Sequence, residues 1–222
     1  MTERGLFISF EGNDGSGKST QMKLLAARLR ESGYTVLENA EPGGTPIGQQ
    51  IRRILLDGKN NDMAPLAELL LMFASRAQAA EQWIRPALAS GEIVLSDRFT
   101  DSSLAYQGEA RGLGFGKVRA LHKLALGDLI PDLTICVEIE LNQSLARARG
   151  RNCEASIESA KQTRLDDQAF EFHERVREGY HRIAESEPQR FKVVDGDAEP
   201  LAVAARVWAL VEPLLASRRR MG

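Results

Sequence analysis

One segment constrains this chain more than any other: residues 12–19 read Gly-Asn-Asp-Gly-Ser-Gly-Lys-Ser, which fits G-x-x-x-x-G-K-[ST]. The apolar run Leu6 to Glu11 precedes it and reads as a buried strand. A helical pattern from Lys18 to about Glu31 follows it, closed by Gly33. Strand, glycine-rich turn and helix in that order make a cradle for phosphate. The glycines let successive backbone N–H groups turn inward as an anion nest, and the helix N-terminus adds its dipole. Within such a cradle Lys18 is placed to reach β- and γ-phosphates, and Ser19 to give an oxygen to Mg²⁺.

The rest of the chain repeats the alternation. Tyr34 to Glu38, Glu92 to Ser96, Leu133 to Ile139 and Phe191 to Val194 read as further strands. A short helix spans about Ile47 to Leu56. Another opens at Pro65 and is expected to end before Pro86, with a second short helix up to Ser90. Leu165, Ala169, Phe172, Val176, Tyr180 and Ile183 recur at spacings of three and four, which predicts a long amphipathic helix. Such βαβ alternation predicts an α/β fold: a parallel five-stranded sheet flanked by helices, with ligands beyond the carboxyl ends of its strands. At 222 residues, with neither repeats nor a linker, one domain over 1–222 is expected.

Composition narrows the function classes. A net charge of −2 argues against a dedicated duplex nucleic-acid binder, which needs a basic excess. Cys136 and Cys153 form no CxxC pair, and with only three histidines a structural zinc site is not expected. No stretch approaches the ~20 apolar residues of a membrane span. The longest apolar run near the N-terminus, Leu6 to Ile8, falls far short of a signal peptide, so a cytoplasmic protein without nucleic-acid or membrane partners is expected.

The cations divide into 22 Arg and 7 Lys. Codon bias accounts for such a surplus, but so does phosphate binding, for which the guanidinium fork is suited. Position separates the two readings. Asp97-Arg98 directly follows a strand, putting a guanidinium beside a metal-side carboxylate, although the pair also suits bracing of a loop. Arg76 stands on an otherwise apolar helix and needs an anionic or carbonyl partner. Arg147, Arg149 and Arg151 alternate, a spacing that splays side chains around a helix, so the segment is expected to unwind into a mobile lid over about 147–166. The chain has no N-K-x-D motif of guanine-binding switches.

Together these residues resemble the bacterial thymidylate kinase family, P-loop enzymes that phosphorylate dTMP with ATP. The resemblance runs through Phe10-Glu11-Gly12…Gly17-Lys18-Ser19-Thr20, Glu41-Pro42-Gly43-Gly44-Thr45, Phe73…Arg76-Ala77-Gln78, Asp97-Arg98-Phe99…Ser102…Ala105-Tyr106-Gln107-Gly108 and Pro131-Asp132-Leu133-Thr134. It implies a P-loop NTPase fold. It implies ATP contacts from Gly12, Asn13, Asp14, Gly15, Ser16, Gly17, Lys18, Ser19 and Thr20, and Mg²⁺ at Ser19 and Asp97. For dTMP it implies Asp14, Arg52, Phe73, Arg76, Arg98, Ser103, Tyr106 and Gln107, with Met72 an alternative to Phe73 against the base. Lys18 and Arg98 are the implied catalytic residues, joined by a lid arginine, Arg149 or Arg164, because no arginine occupies the x positions of the P-loop. A homodimer packed through long helices is implied as well. The chain departs from the family pattern at Ala40, where arginine is usual, at Thr163, where aspartate is usual, and in the long insertion 151–162.

Overall fold

The computed structural model describes residues 4–154, 164–165 and 168–219. Five strands, β1 (Phe7–Glu11), β2 (Val36–Ala40), β3 (Ile93–Asp97), β4 (Leu133–Glu138) and β5 (Phe191–Asp195), pair in parallel in the order β2-β3-β1-β4-β5. The glycine-rich loop therefore leaves a central strand, with β3 and β4 as its neighbours.

Alternation along β1 sorts the two faces. Leu6, Ile8 and Phe10 join Leu95, Ile135 and Val137 against helices α1 (Lys18–Glu31) and α9 (Pro200–Arg219). Phe7 points the other way, toward a larger core with Phe73, Phe99, Tyr106, Val176 and Tyr180. Ser9 and Glu11 share Phe7's face by the period of two, so a strand chosen for burial carries two polar residues into that interior.

Helices α2 (Pro46–Leu56), α3 (Pro65–Ala79), α5 (Thr100–Ser103), α6 (Phe115–Leu126) and α8 (Phe170–Ser186) lie on this second side or border the site. Thr45 caps α2 by accepting Gly48 N–H at 2.9 Å, with Pro46 in the first turn. Pro86 does not stop the helix as expected. α3 passes through a π-helical stretch, Ala80–Ile84, into α4 (Arg85–Ala89), so the missing N–H of Pro86 falls beside the π/α junction, where the hydrogen-bond register changes. A second π-helical stretch, Leu104–Ala110, follows α5 and carries Tyr106 and Gln107.

Three further expectations shift. β2 starts at Val36 rather than Tyr34, because Tyr34 N–H closes the end of α1 on Leu29 O at 3.0 Å. α8 starts at Phe170, so Leu165 and Ala169 precede the helix rather than lie on its apolar stripe. The arginine run does not unwind: α7 continues through it from Leu141 to Glu154, as its alanine, leucine and arginine content favours, with Arg147 exposed. Residues 155–163 and 166 of the expected lid, which include Thr163 and most of the insertion, lie outside the described residues, as does the side chain of Arg149.

Candidate active site

The parallel order brings three loops to one edge: the P-loop after β1, residues 41–45 after β2, and Arg98 at the end of β3. Gly15 and Gly17 take φ values of 90° and 98° that L side chains rarely adopt. Any Cβ at Gly15 would meet the Ser144 backbone of α7, and Ser144 Oγ donates to Asp14 O at 2.8 Å. The loop is thus held open for anions and backed by α7.

Asp14 is the electrostatic centre of this edge. Its Oδ1 accepts from Lys18 Nζ at 2.9 Å and from Arg98 Nη2 at 2.8 Å, and Tyr106 OH lies 3.4 Å from Oδ2. Burial works against its charge, yet the Arg98 guanidinium and the Lys18 ammonium hold its carboxyl well below the usual range. Arg98 is reciprocally held in its charged form: burial opposes the charge, and Asp14 together with Tyr106, Tyr180 and Glu11 more than offsets it. The Arg98 guanidinium also lies 4.9 Å from the Tyr106 ring centre. Beside this cluster Ser19 Oγ donates to Asp97 Oδ2 at 2.5 Å. Among the described residues no three acids, cysteines or histidines gather as a metal cage. A hydroxyl and a carboxylate this close nonetheless fit Mg²⁺, which takes one or two protein oxygens and fills its octahedron with phosphate oxygens and water.

A cleft of about 650 Å³ opens beside Asp14 and Arg98. Arg52, Arg76, Ser103, Tyr106 and Gln107 line it as the resemblance implied, together with Glu41, Pro42 and Ser102. Its apolar lining is Leu56, Met72 and Leu165. Phe73 is absent from that lining: it is buried in the core, its ring centre 4.8 Å from the Arg76 guanidinium, and Met72 is presented instead. Arg52 donates to Pro42 O at 2.8 Å from the rim of the 41–45 loop.

Arg76 finds the partner its apolar helix demands. Its Nε pairs with the Glu41 carboxylate and its Nη1 donates to Ser103 Oγ at 3.0 Å. Burial pushes the Glu41 carboxyl up, and Arg76 opposes that shift.

Arg164 is not brought to the phosphate cradle. It is buried on the far side of the cleft wall, where Nη2 pairs with Glu68 Oε2 at 2.6 Å and Nε donates to Leu55 O at 2.5 Å. Glu68 also accepts Gln107 Nε2 at 2.8 Å and Arg111 Nη2 at 3.2 Å. Sequence reasoning missed Glu11, Glu41, Glu68 and Leu165. For Glu68 there was a signal: an acid inside Pro65-Leu66-Ala67-Glu68-Leu69-Leu70, two turns before Arg76 on the same face, is as conspicuous as Arg76 itself.

The thymidylate kinase family model matches residues 10–207. A thymidylate kinase from Thermomicrobium roseum is 50% identical over 214 residues, covering 96% of this chain and 98% of its own. One from Caldanaerobacter subterraneus subsp. tengcongensis is 46% identical over 212 residues, with 96% and 97% covered. Among solved structures, thymidylate kinase from Ehrlichia chaffeensis superposes with a TM-score of 0.75 at 31% identity, covering 94% of this chain and 99% of that one.

Proposed function

The chain belongs to the thymidylate kinase family, whose reaction is transfer of the γ-phosphoryl group of ATP to dTMP, and from that premise we propose how its own residues perform it. The observation that carries the reading is Asp14 joining Lys18 of the donor cradle to Arg98 of the acceptor cleft. One carboxylate holds both cations where two sets of phosphates must meet.

The acceptor is a phosphate monoester that is already anionic near neutrality, so the reaction needs no general base. Positioning and charge neutralisation remain as the work of the protein. The nest from Gly12 to Ser19 binds the donor phosphates, and Lys18 takes the β- and γ-oxygens. Arg98 leaves part of its contact with Asp14 to span donor and acceptor phosphates, and Arg52 holds the monophosphate. Arg76, with Ser103, reads the pyrimidine edge, while Tyr106 and Gln107 fit the deoxyribose and base against Met72 and Leu165. Ser19 and Asp97 would hold Mg²⁺, which when bound would neutralise charge on the donor phosphates. With Arg164 engaged on Glu68, the lid guanidinium falls to Arg149.

We place the reaction in the cytoplasm, and among the described residues no helix is long and apolar enough to cross a membrane. We also propose a homodimer. Ile47 and Ile54 of α2, with Leu66 and Leu70 of α3, are each about half exposed on two helices that pack together, an apolar face suited to a second copy. An assay of ADP release with dTMP, dUMP, dCMP and AMP at equal concentrations tests the activity: dTMP should be turned over fastest. Equal or no turnover with dTMP would overturn the reading.

A further inference from the structure

We propose that Glu11 is the positioning residue that fixes Arg98 for phosphoryl transfer, acting on its backbone through the Phe99 amide and on its side chain through the Ser102 and Tyr180 hydroxyls. This rests on the reading of Arg98 as the residue that meets the phosphates.

Glu11 ends β1 on the face that Phe7 and Ser9 share, closed to solvent. Its Oε1 accepts Phe99 N–H at 2.7 Å and Ser9 Oγ at 2.9 Å. Its Oε2 accepts Ser102 Oγ at 2.5 Å and Tyr180 OH at 3.1 Å. Two of these donors lead straight to Arg98, whose Nη1 donates to Ser102 Oγ at 2.9 Å and to Tyr180 OH at 3.2 Å. The Phe99 amide leads there through the main chain. Arg98 is the one non-glycine residue among those described with positive φ, 72°, and the peptide that follows it is the one pinned to Glu11. The carboxylate thus holds the strained turn with one oxygen and the guanidinium's two hydroxyl seats with the other. The other terminal nitrogen of Arg98, Nη2, faces Asp14 and the cleft.

The chain of donors has one polarity. Each hydroxyl spends its hydrogen on Glu11 and so offers lone pairs to Arg98. A group that accepts on both oxygens is required. A protonated acid or an amide at Oε2 donates to those hydroxyls and turns their hydrogens toward the guanidinium. Burial raises the Glu11 carboxyl to about 7, with Asp101 of α5 adding to the shift and Arg98 opposing it. Tyr180 of α8 and Cys136 of β4 also face it, both held protonated because burial and the Glu11 charge raise them well above their usual values. Its ionised form, and with it the polarity of the network, is therefore lost as pH falls through about 7.

The test is E11Q beside the native enzyme, with the S102A/Y180F double variant in case E11Q does not fold. Turnover is measured at saturating ATP and dTMP from pH 6 to 8.5, together with KM for ATP. We expect kcat to fall on the order of 10- to 100-fold in E11Q while KM for ATP stays within about threefold, because the P-loop is untouched. We also expect the native rise in kcat through about pH 7 to flatten in E11Q. The double variant should fall comparably, and adding E11Q to it should cost little more. A folded E11Q with native kcat and an unchanged pH profile overturns the proposal. So does a folded variant in which kcat holds and only KM for ATP rises. Failure of the native enzyme to release ADP with dTMP would instead overturn the proposed function, and this inference with it.

Discussion

Arg164 and Glu68 form an ion pair closed to solvent, with Nη2 2.6 Å from Oε2. The neighbouring backbone is tied down as well, Arg164 N–H reaching Leu56 O at 3.3 Å. These contacts seat Leu165 against Leu56 and Met72, so a residue expected to close over the transferred phosphate instead braces the wall of the cleft.

R164A should therefore behave as a structural and binding lesion. Removing one partner of a buried pair costs about 3–5 kcal/mol, because the other charge is left buried and uncompensated. The melting temperature should drop by several degrees, and KM for dTMP should rise as Leu165 loses its seat. The turnover number at saturating dTMP should fall by no more than about tenfold. A catalytic arginine would give the opposite pattern, a loss on the order of 10³ in kcat with little change in stability. Thermal melts and steady-state kinetics on one preparation separate the two.

The Arg76–Glu41 pair makes a second case, in which the proposed recognition of the base and stability share one side chain. Nε serves Glu41 and Nη1 serves Ser103, while the guanidinium lines the cleft. R76A should lower kcat/KM for dTMP by about 10- to 100-fold, the range of one hydrogen bond to a charged group. It should also destabilise the protein, leaving Glu41 buried without its cation. R76K keeps the charge and loses the fork, so it should recover stability more than it recovers kcat/KM. Recovery of both to the same extent would count against a role in base recognition.

How much of this was legible in the chain differs by kind of signal. The parallel sheet was legible because buried strands read as short apolar runs and the P-loop fixes one strand–helix junction outright. Positive φ at Gly15 and Gly17, and the placement of Lys18 and Ser19, follow from a pattern in which backbone geometry dictates residue type. Arg76 was legible as an anomaly, a charge on an apolar face, but its partner was not, since Glu41 lies 35 positions away and meets it only in the fold. Glu11 was hidden by its context: one polar residue at the end of an apolar strand reads as a strand boundary. Leu165 misled for a related reason. Its spacing matches the α8 stripe, yet Arg164 draws it to Leu56 and Met72, and tertiary contacts override periodicity.

Ser19 and Asp97 give a metal-dependent prediction. The 2.5 Å contact between hydroxyl and carboxylate leaves two oxygens poised side by side at the mouth of the cradle. D97N keeps the shape and removes the charge, so it should raise the Mg²⁺ concentration needed for half-maximal rate about tenfold or more. At high Mg²⁺ much of the rate should return. A Mg²⁺ titration at fixed ATP reads this directly. An unchanged titration curve would remove Asp97 from the metal site.

Glu11 sets a trend of stability with pH that runs against its effect on turnover. Its carboxyl titrates at about 7 in the folded protein against 4.5 as its ordinary value. Between those values the folded protein holds a proton that the unfolded chain has released. The group's contribution is therefore fully present below about 4.5 and is lost as pH rises through about 7. Gln at this position does not titrate and carries no buried charge. The melting temperature of E11Q relative to the native protein should accordingly climb from pH 5 to pH 8, while its relative turnover declines over the upper part of the same range. Differential scanning fluorimetry in matched buffers checks the first trend. A flat or falling difference would mean that ionised Glu11 is not penalised by its burial, and that Ser9, Phe99, Ser102 and Tyr180 compensate the charge in full.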